Sequence, residues 1–133
     1  MPHTVTVVDT GRSTMAGGRV RRIRPFVGDE AFMLTYGGGV ADVDVPALLA
    51  FHRSHGRTAT LTGVSVAQRF GVLDVLPGGG VASFREKHGS DGGMINGGFM
   101  VMEPGMFSLI KGDDEVLEEG ALETLARQGE LMA

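Results

Sequence analysis

Glu86 and Lys87 stand side by side ahead of a glycine-rich stretch at residues 89–93. A lysine in that setting meets a phosphate as a point charge while the glutamate accepts from a sugar hydroxyl, although a solvated surface pair reads equally well. Arg69-Phe70-Gly71 offers a cation beside an unobstructed backbone, or a simple turn. Gly17-Gly18-Arg19 comes just before a helical stretch, where free backbone N–H groups and the helix dipole favour an anion that Arg19 would reinforce. The competing reading of those two glycines is a close-packed turn. Gly37-Gly38-Gly39 follows an apolar run, and its missing side chains let a ligand approach the backbone. Neither glycine cluster has the Walker pattern or the dinucleotide fingerprint. His52 and His55 are three apart on a helix, but no third ligand stands at a matching position, so they read as its polar flank. A hydroxyl–histidine–acid hydrolase would lack the G-x-S-x-G elbow.

These residues need elements to position them. Thr4-Val5-Thr6-Val7-Val8 is β-branched and predicts a short strand, and Val20, Ile23 and Val27 fall at helical spacing. Ala31-Phe32-Met33-Leu34-Thr35-Tyr36 is a continuous apolar run, which suits a strand buried on both faces. Asp44-Val45-Pro46 predicts a helix start, with Leu48, Leu49 and Phe51 on its apolar face and Gly56 as its stop. Thr58-Ala59-Thr60-Leu61-Thr62 is a further strand. The alternation of strands and helices predicts an α/β layer with parallel strands. Next come a hairpin around Leu76-Pro77-Gly78-Gly79, a strand at Phe99-Met100-Val101-Met102, and a helix over residues 113–127 containing Gly120.

The chain has 133 residues, the size of one domain able to bury a core. A net charge of −4 argues against a binder that works by neutralising nucleic-acid phosphates. The absence of cysteine excludes disulfides, thiolate metal sites and a cysteine nucleophile. No basic-then-apolar leader and no membrane-length apolar run is present, which predicts a cytoplasmic protein with no membrane partner. Five arginines between residues 12 and 24, and eight acids within residues 103–130, make the charge uneven, as the solvated faces of amphipathic helices do.

Several segments in order carry a resemblance: Val5-Thr6-Val7-Val8-Asp9-Thr10-Gly11, residues 15–22 and 36–42, Phe51-His52-Arg53-Ser54-His55-Gly56, Arg69-Phe70-Gly71, Phe84-Arg85-Glu86-Lys87 and Met94-Ile95-Asn96-Gly97-Gly98-Phe99. Together they closely resemble the glucose-1-phosphate cytidylyltransferases of the sugar nucleotidyltransferase superfamily, over residues 4–133. That family joins CTP and α-D-glucose 1-phosphate with Mg²⁺ to give CDP-glucose and pyrophosphate, feeding deoxysugar synthesis for bacterial surface polysaccharide. The resemblance implies an α/β fold: a partial nucleotidyltransferase sheet (Rossmann-like, GT-A-like) with helices plus a β-rich sugar-binding part, in one domain over residues 1–133. It implies that Glu86 and Lys87 contact the sugar phosphate, that Phe70, Gly71, Ile95, Asn96 and Gly97 line the sugar pocket, and that Gly17, Gly18 and Arg19 lie near the nucleotide base. The implied partner is a sugar phosphate or sugar nucleotide, with Mg²⁺ as the family's cofactor.

The departures bear on mechanism. The chain starts about where the family's middle starts, so the expectation is a domain lacking the N-terminal nucleotide loop and the C-terminal segment that holds a second metal aspartate. The family's first metal aspartate is replaced by Gly38; the Glu-Lys-Pro motif reads Glu86-Lys87-His88; Ala16 and Leu117 replace a threonine and a tryptophan. Nucleotidyl transfer depends on positioning and on electrostatic stabilisation of phosphate charge. The expectation is therefore a cytidylyltransferase homologue inactive on its own. The alternatives are a non-catalytic sugar-phosphate or nucleotide-binding module, or an inert gene remnant. A sheet without a covering strand is expected to self-associate as a homo-oligomer.

Overall fold

The computed structural model describes residues 3–38, 41–64, 72–85 and 94–133. Helix α1 spans Ala16–Arg22, and α2, Arg24–Val27, follows directly with Pro25 in its first turn. Strand β1 is Phe32–Thr35. Helix α3, Val45–His55, begins where the side-chain chemistry requires: Asp44 Oδ1 accepts from the Ala47 N–H at 3.0 Å, and Pro46 occupies a first-turn position that has no helical N–H to lose. Gly56 stops it in the left-handed region at φ +66. Strand β2 is Ala59–Val64; β3, Val72–Val75, and β4, Val81–Arg85, form the predicted hairpin, whose turn uses Gly78 and Gly79 at positive φ. Strand β5, Met94–Met102, is followed by a short 3-10 helix at Pro104–Leu109, by α4, Ala121–Arg127, and by β6, Leu131–Met132.

The strands form one sheet in the order β4-β3-β5-β2-β6, with β1 also pairing with β5. Strand β2 runs along one edge of β5, so β1 and β3 must share the other, β1 against residues 99–102 and β3 against residues 94–95. A bridge between Gly80 and Met132 joins the two ends of the order, so the sheet curls back on itself.

Helices cover both faces. Ala59, Leu61, Met100, Met102 and Leu131 face a core completed by Leu117, Leu122 and Leu125 from the C-terminal region and by Met106 and Phe107 from the 3-10 helix. On the opposite face Thr60 of β2 meets His52 of α3. Phe32 stacks on Phe107 with centroids 5.1 Å apart, and Arg24 caps that ring at 5.4 Å. No described helix is long and apolar enough to cross a membrane.

The α/β class, with helices on both faces and an added hairpin, matches the sequence reading. The strands expected to be parallel, β1 and β2, do run the same way, but they are not paired with each other: β5 lies between them and is antiparallel to both. Among the described residues β2 and β6 are the only directly paired parallel strands, and the other pairings, the hairpin included, are antiparallel. Strand β1 alternates instead of being buried on both faces, because Phe32 and Leu34 reach the core while Met33 lies in the open at 46% exposure. Residues 4–8 form no strand among the described residues. The C-terminal helix begins at Ala121 with Gly120 as its N-cap. Ahead of it, the Asp113 and Glu115 carbonyls accept from the Met15 and Gly17 N–H groups at 2.8 and 2.9 Å, which commits them to α1.

Candidate functional site

Between β1 and β3, residues 96–98 of β5 have no strand partner on that edge among the described residues. The backbone bends there. Asn96, buried, accepts the Gly98 N–H on Oδ1 at 2.9 Å, and Gly98 takes φ +84, which a side chain would resist. A Cβ on Gly98 would sit 3.2 Å from the Tyr36 ring, and one on Gly97 would sit 3.2 Å from the Thr62 carbonyl. Glycine at both positions lets β5 lie close under the Tyr36 turn and against the bulge in β2. The Thr62 hydroxyl is buried and has no hydrogen-bond partner among the described residues. Tyr36 itself donates its hydroxyl to the Glu118 carboxylate.

Of the sequence-predicted site residues, Ile95, Asn96 and Gly97 lie at this bend. Phe70, Gly71, Glu86 and Lys87 lie outside the described residues. Their chain neighbours are informative: Val72 pairs with both Arg85 and Ile95, so the described ends of all three segments share one register row. Gly38 follows the Tyr36 turn, and a Cβ there would meet nothing within 4 Å.

Gly17, Gly18 and Arg19 stand apart from that row. The two glycines lie inside α1 and not ahead of it, buried against the backbone of residues 113–115, where a Cβ would come within 2.7 Å of the Glu115 carbonyl and 2.6 Å of Asp113 Cα. The Gly17 N–H is already donated to Glu115. Arg19 donates to Thr10 Oγ1 at 2.7 Å, and Arg22 pairs with Asp113, whose carboxyl it holds below the usual range. The geometry is that of the close-packed alternative.

A second polar cluster was not legible as such. His52 is buried and not a polar flank. The chain of partners fixes its donors: the Arg57 N–H donates to His55 Nδ1 (2.9 Å), His55 Nε2–H to Thr60 Oγ1 (2.7 Å), the Thr60 hydroxyl to His52 Nδ1 (2.8 Å), and His52 Nε2–H to Glu103 Oε1 (3.0 Å). Burial first, then His52 and Arg57, push the His55 imidazole below its ordinary pKa. Hydroxyl, imidazole and carboxylate stand in a row, but Thr60 is fully buried and no substrate reaches it. The cluster ties α3 to β2 and β5. A useful sequence signal would have been a histidine facing a threonine on a strand whose other residues are core.

No family model matches the chain. A glucose-1-phosphate cytidylyltransferase of Salmonella typhimurium is 53% identical over 99% of this chain and 51% of its own length. The "Probable glucose-1-phosphate cytidylyltransferase" of Bacillus subtilis is 39% identical over 96% of the chain and 50% of its length. The chain is homologous to glucose-1-phosphate cytidylyltransferases. It spans about half the length of the curated relatives it matches. Solved structures agree on the fold: apo UDP-glucose pyrophosphorylase superposes with a TM-score of 0.75 at 17% identity, over 95% of this chain and 54% of that one. A candidate glucose-1-phosphate thymidylyltransferase of Bacillus anthracis, in complex with sucrose, gives 0.79 at 15% identity, over 92% and 52%. The fold of this cytidylyltransferase homologue is thus that of the nucleotidyltransferases.

Among the described residues no three His, Cys, Asp or Glu side chains converge on one point.

Proposed function

We propose that the chain holds a sugar phosphate or sugar nucleotide at the bend of residues 96–98 and does not by itself transfer a cytidylyl group. In this reading glucose 1-phosphate or CDP-glucose is the ligand. The setting is the cytoplasm and the supply of sugar nucleotide for surface polysaccharide. The observation that carries it is the shared register row of Val72, Arg85 and Ile95, which adjoins the Phe70-Gly71, Glu86-Lys87 and Asn96-Gly97 segments of the resemblance. The absence of turnover rests on Gly38, which offers no charge to a metal or to the developing phosphate charge.

The test is pyrophosphate release from CTP and glucose 1-phosphate with Mg²⁺, beside equilibrium binding of glucose 1-phosphate. Binding without steady release is the expected result. Sustained release by protein free of contaminating enzyme would overturn the second half of the proposal, and no binding would overturn the first.

A further inference from the structure

The chain of donors running from Arg57 to Glu103 cannot take up a proton on either ring without reversing or breaking a bond. Both imidazoles accept at Nδ1 and donate at Nε2. At His52 the group facing Nδ1 is the Thr60 hydroxyl, which can rotate. At His55 it is the Arg57 backbone N–H, 2.9 Å away, which can only donate. A proton on His55 Nδ1 therefore sets N–H against N–H, and the bond that folds the turn back onto the ring is lost.

That turn has room to move and little else to hold it. Gly56 lies at φ +66, and a Cβ there would meet nothing within 4 Å. Arg57 is exposed, and its guanidinium reaches the Glu130 carboxylate only at 3.3 Å, where solvent screens the pair. Thr58 is fixed from both sides: its hydroxyl donates to Glu130 at 2.8 Å and its carbonyl accepts the Glu103 N–H at 2.7 Å. Release therefore stops at residues 56–57 and leaves β2 in the sheet. The proton arrives from an open cleft of about 610 Å³ between the ends of α3 and α4 and the hairpin turn, lined by His55, Arg57, Pro77, Gly78 and Arg127. Among the described residues the ring is faced by His52 on its own helix, Arg57 in the turn and Glu130 ahead of β6; Arg127 of α4 shares the cleft, and Glu103 after β5 is reached only through Thr60 and His52. Burial, His52 and Arg57 together outweigh Glu130, so the ring is neutral and the turn closed at neutral pH.

We infer that His55 is a proton-operated catch on the turn after α3: neutral, it holds the Arg57 N–H and keeps residues 56–57 folded against the helix end; protonated, it releases them while the sheet stays intact. The device uses none of the candidate sugar-phosphate residues, so it stands or falls apart from that reading.

Amide hydrogen exchange of the full chain, followed by NMR between about pH 7.5 and 5 with intrinsic exchange divided out, tests it. Protection of the Arg57 amide should hold above the ordinary histidine value of 6.5 and fall by up to about tenfold per pH unit below it, as release coupled to one proton requires. The fall should level off at the midpoint of the His55 ring titration recorded on the same samples. Met100 and Val101, flanked by β1 and β2, should keep their protection throughout. In His55→Asn the side-chain oxygen accepts the same N–H, as in an Asx-turn, but takes no proton, so protection of Arg57 should not depend on pH. Unchanged protection across the range, a loss shared by Met100 and Val101, a levelling point apart from the His55 midpoint, or a pH-dependent Asn variant would overturn the inference. The first three of these outcomes need only the parent chain.

Discussion

Gly18→Ala sets two effects of known size against each other. In a helix interior alanine is favoured over glycine by about 1 kcal/mol, so propensity alone predicts a more stable protein. Position 18 reverses that sign. A Cβ there would lie 2.6 Å from Asp113 Cα, 2.7 Å from the Asp113 carbonyl oxygen and 2.7 Å from Thr14 Cγ2. Carbon–carbon contacts are comfortable at about 3.5–4.0 Å, and backbone cannot rotate aside, so α1 has to retreat by about 1 Å. That retreat stretches the hydrogen bonds from the Met15 and Gly17 N–H groups, now 2.8 and 2.9 Å, and loosens the Arg22–Asp113 pair. Overpacking costs about 1–3 kcal/mol and each weakened hydrogen bond up to about 1 kcal/mol. The net expectation is a loss of about 1–3 kcal/mol, a drop of roughly 3–10 °C in Tm for a chain of this size. Gly37→Ala is the control: a Cβ there meets nothing within 4 Å and the backbone is not left-handed, so the variant should be neutral or up to about 1 kcal/mol more stable. Thermal unfolding followed by circular dichroism compares both with the parent. A Gly18→Ala protein as stable as the parent would refute the packing account and reopen these glycines as an anion site.

Other perturbations probe the remaining parts of the account. Asn96→Ala removes the acceptor of the buried Gly98 N–H and should cost about 1–3 kcal/mol in urea unfolding, with Asn96→Asp, which keeps that oxygen, losing less. Gly38→Asp meets open space, so stability should change by less than about 0.5 kcal/mol while glucose 1-phosphate binding becomes Mg²⁺-dependent; titration with and without the metal reads this directly. The His55 imidazole takes up its proton at a lower pH in the folded chain than in the unfolded one. Its contribution is therefore intact above the unfolded value of 6.5 and is lost as pH falls from there to the folded pKa. Melting at steps between pH 7.5 and about 5 should slope downward there, and His55→Gln should flatten the slope; equal slopes would reject that assignment.

Elements set by local chemistry were legible, and those set by distant partners were not. Asp44, Pro46 and Gly56 fix α3 within a few residues of sequence, and Pro77-Gly78-Gly79 fixes the hairpin turn. Strand pairing depends on β5, which takes β1 and β3 on one edge and β2 on the other, information that no window of sequence contains. The stretch ahead of α4 has helical periodicity, yet its carbonyls at Asp113 and Glu115 bond α1 about a hundred residues away. Gly17 and Gly18 read as an anion cradle or as a close-packed turn until the backbone they touch is known. His52 looked like solvated polar surface because its partners, Thr60 and Glu103, are eight and 51 residues distant. At the candidate site, Ile95, Asn96 and Gly97 came from the resemblance; the bend they form came from the geometry.

The most direct test of the sugar-phosphate site is a thermal melting curve of the chain with and without saturating glucose 1-phosphate or CDP-glucose plus Mg²⁺. A ligand at a hundred times its Kd stabilises the native state by about 2.7 kcal/mol, so a cooperative transition moved upward by several degrees is the predicted result. A cooperative transition that neither ligand moves at millimolar concentration would contradict it.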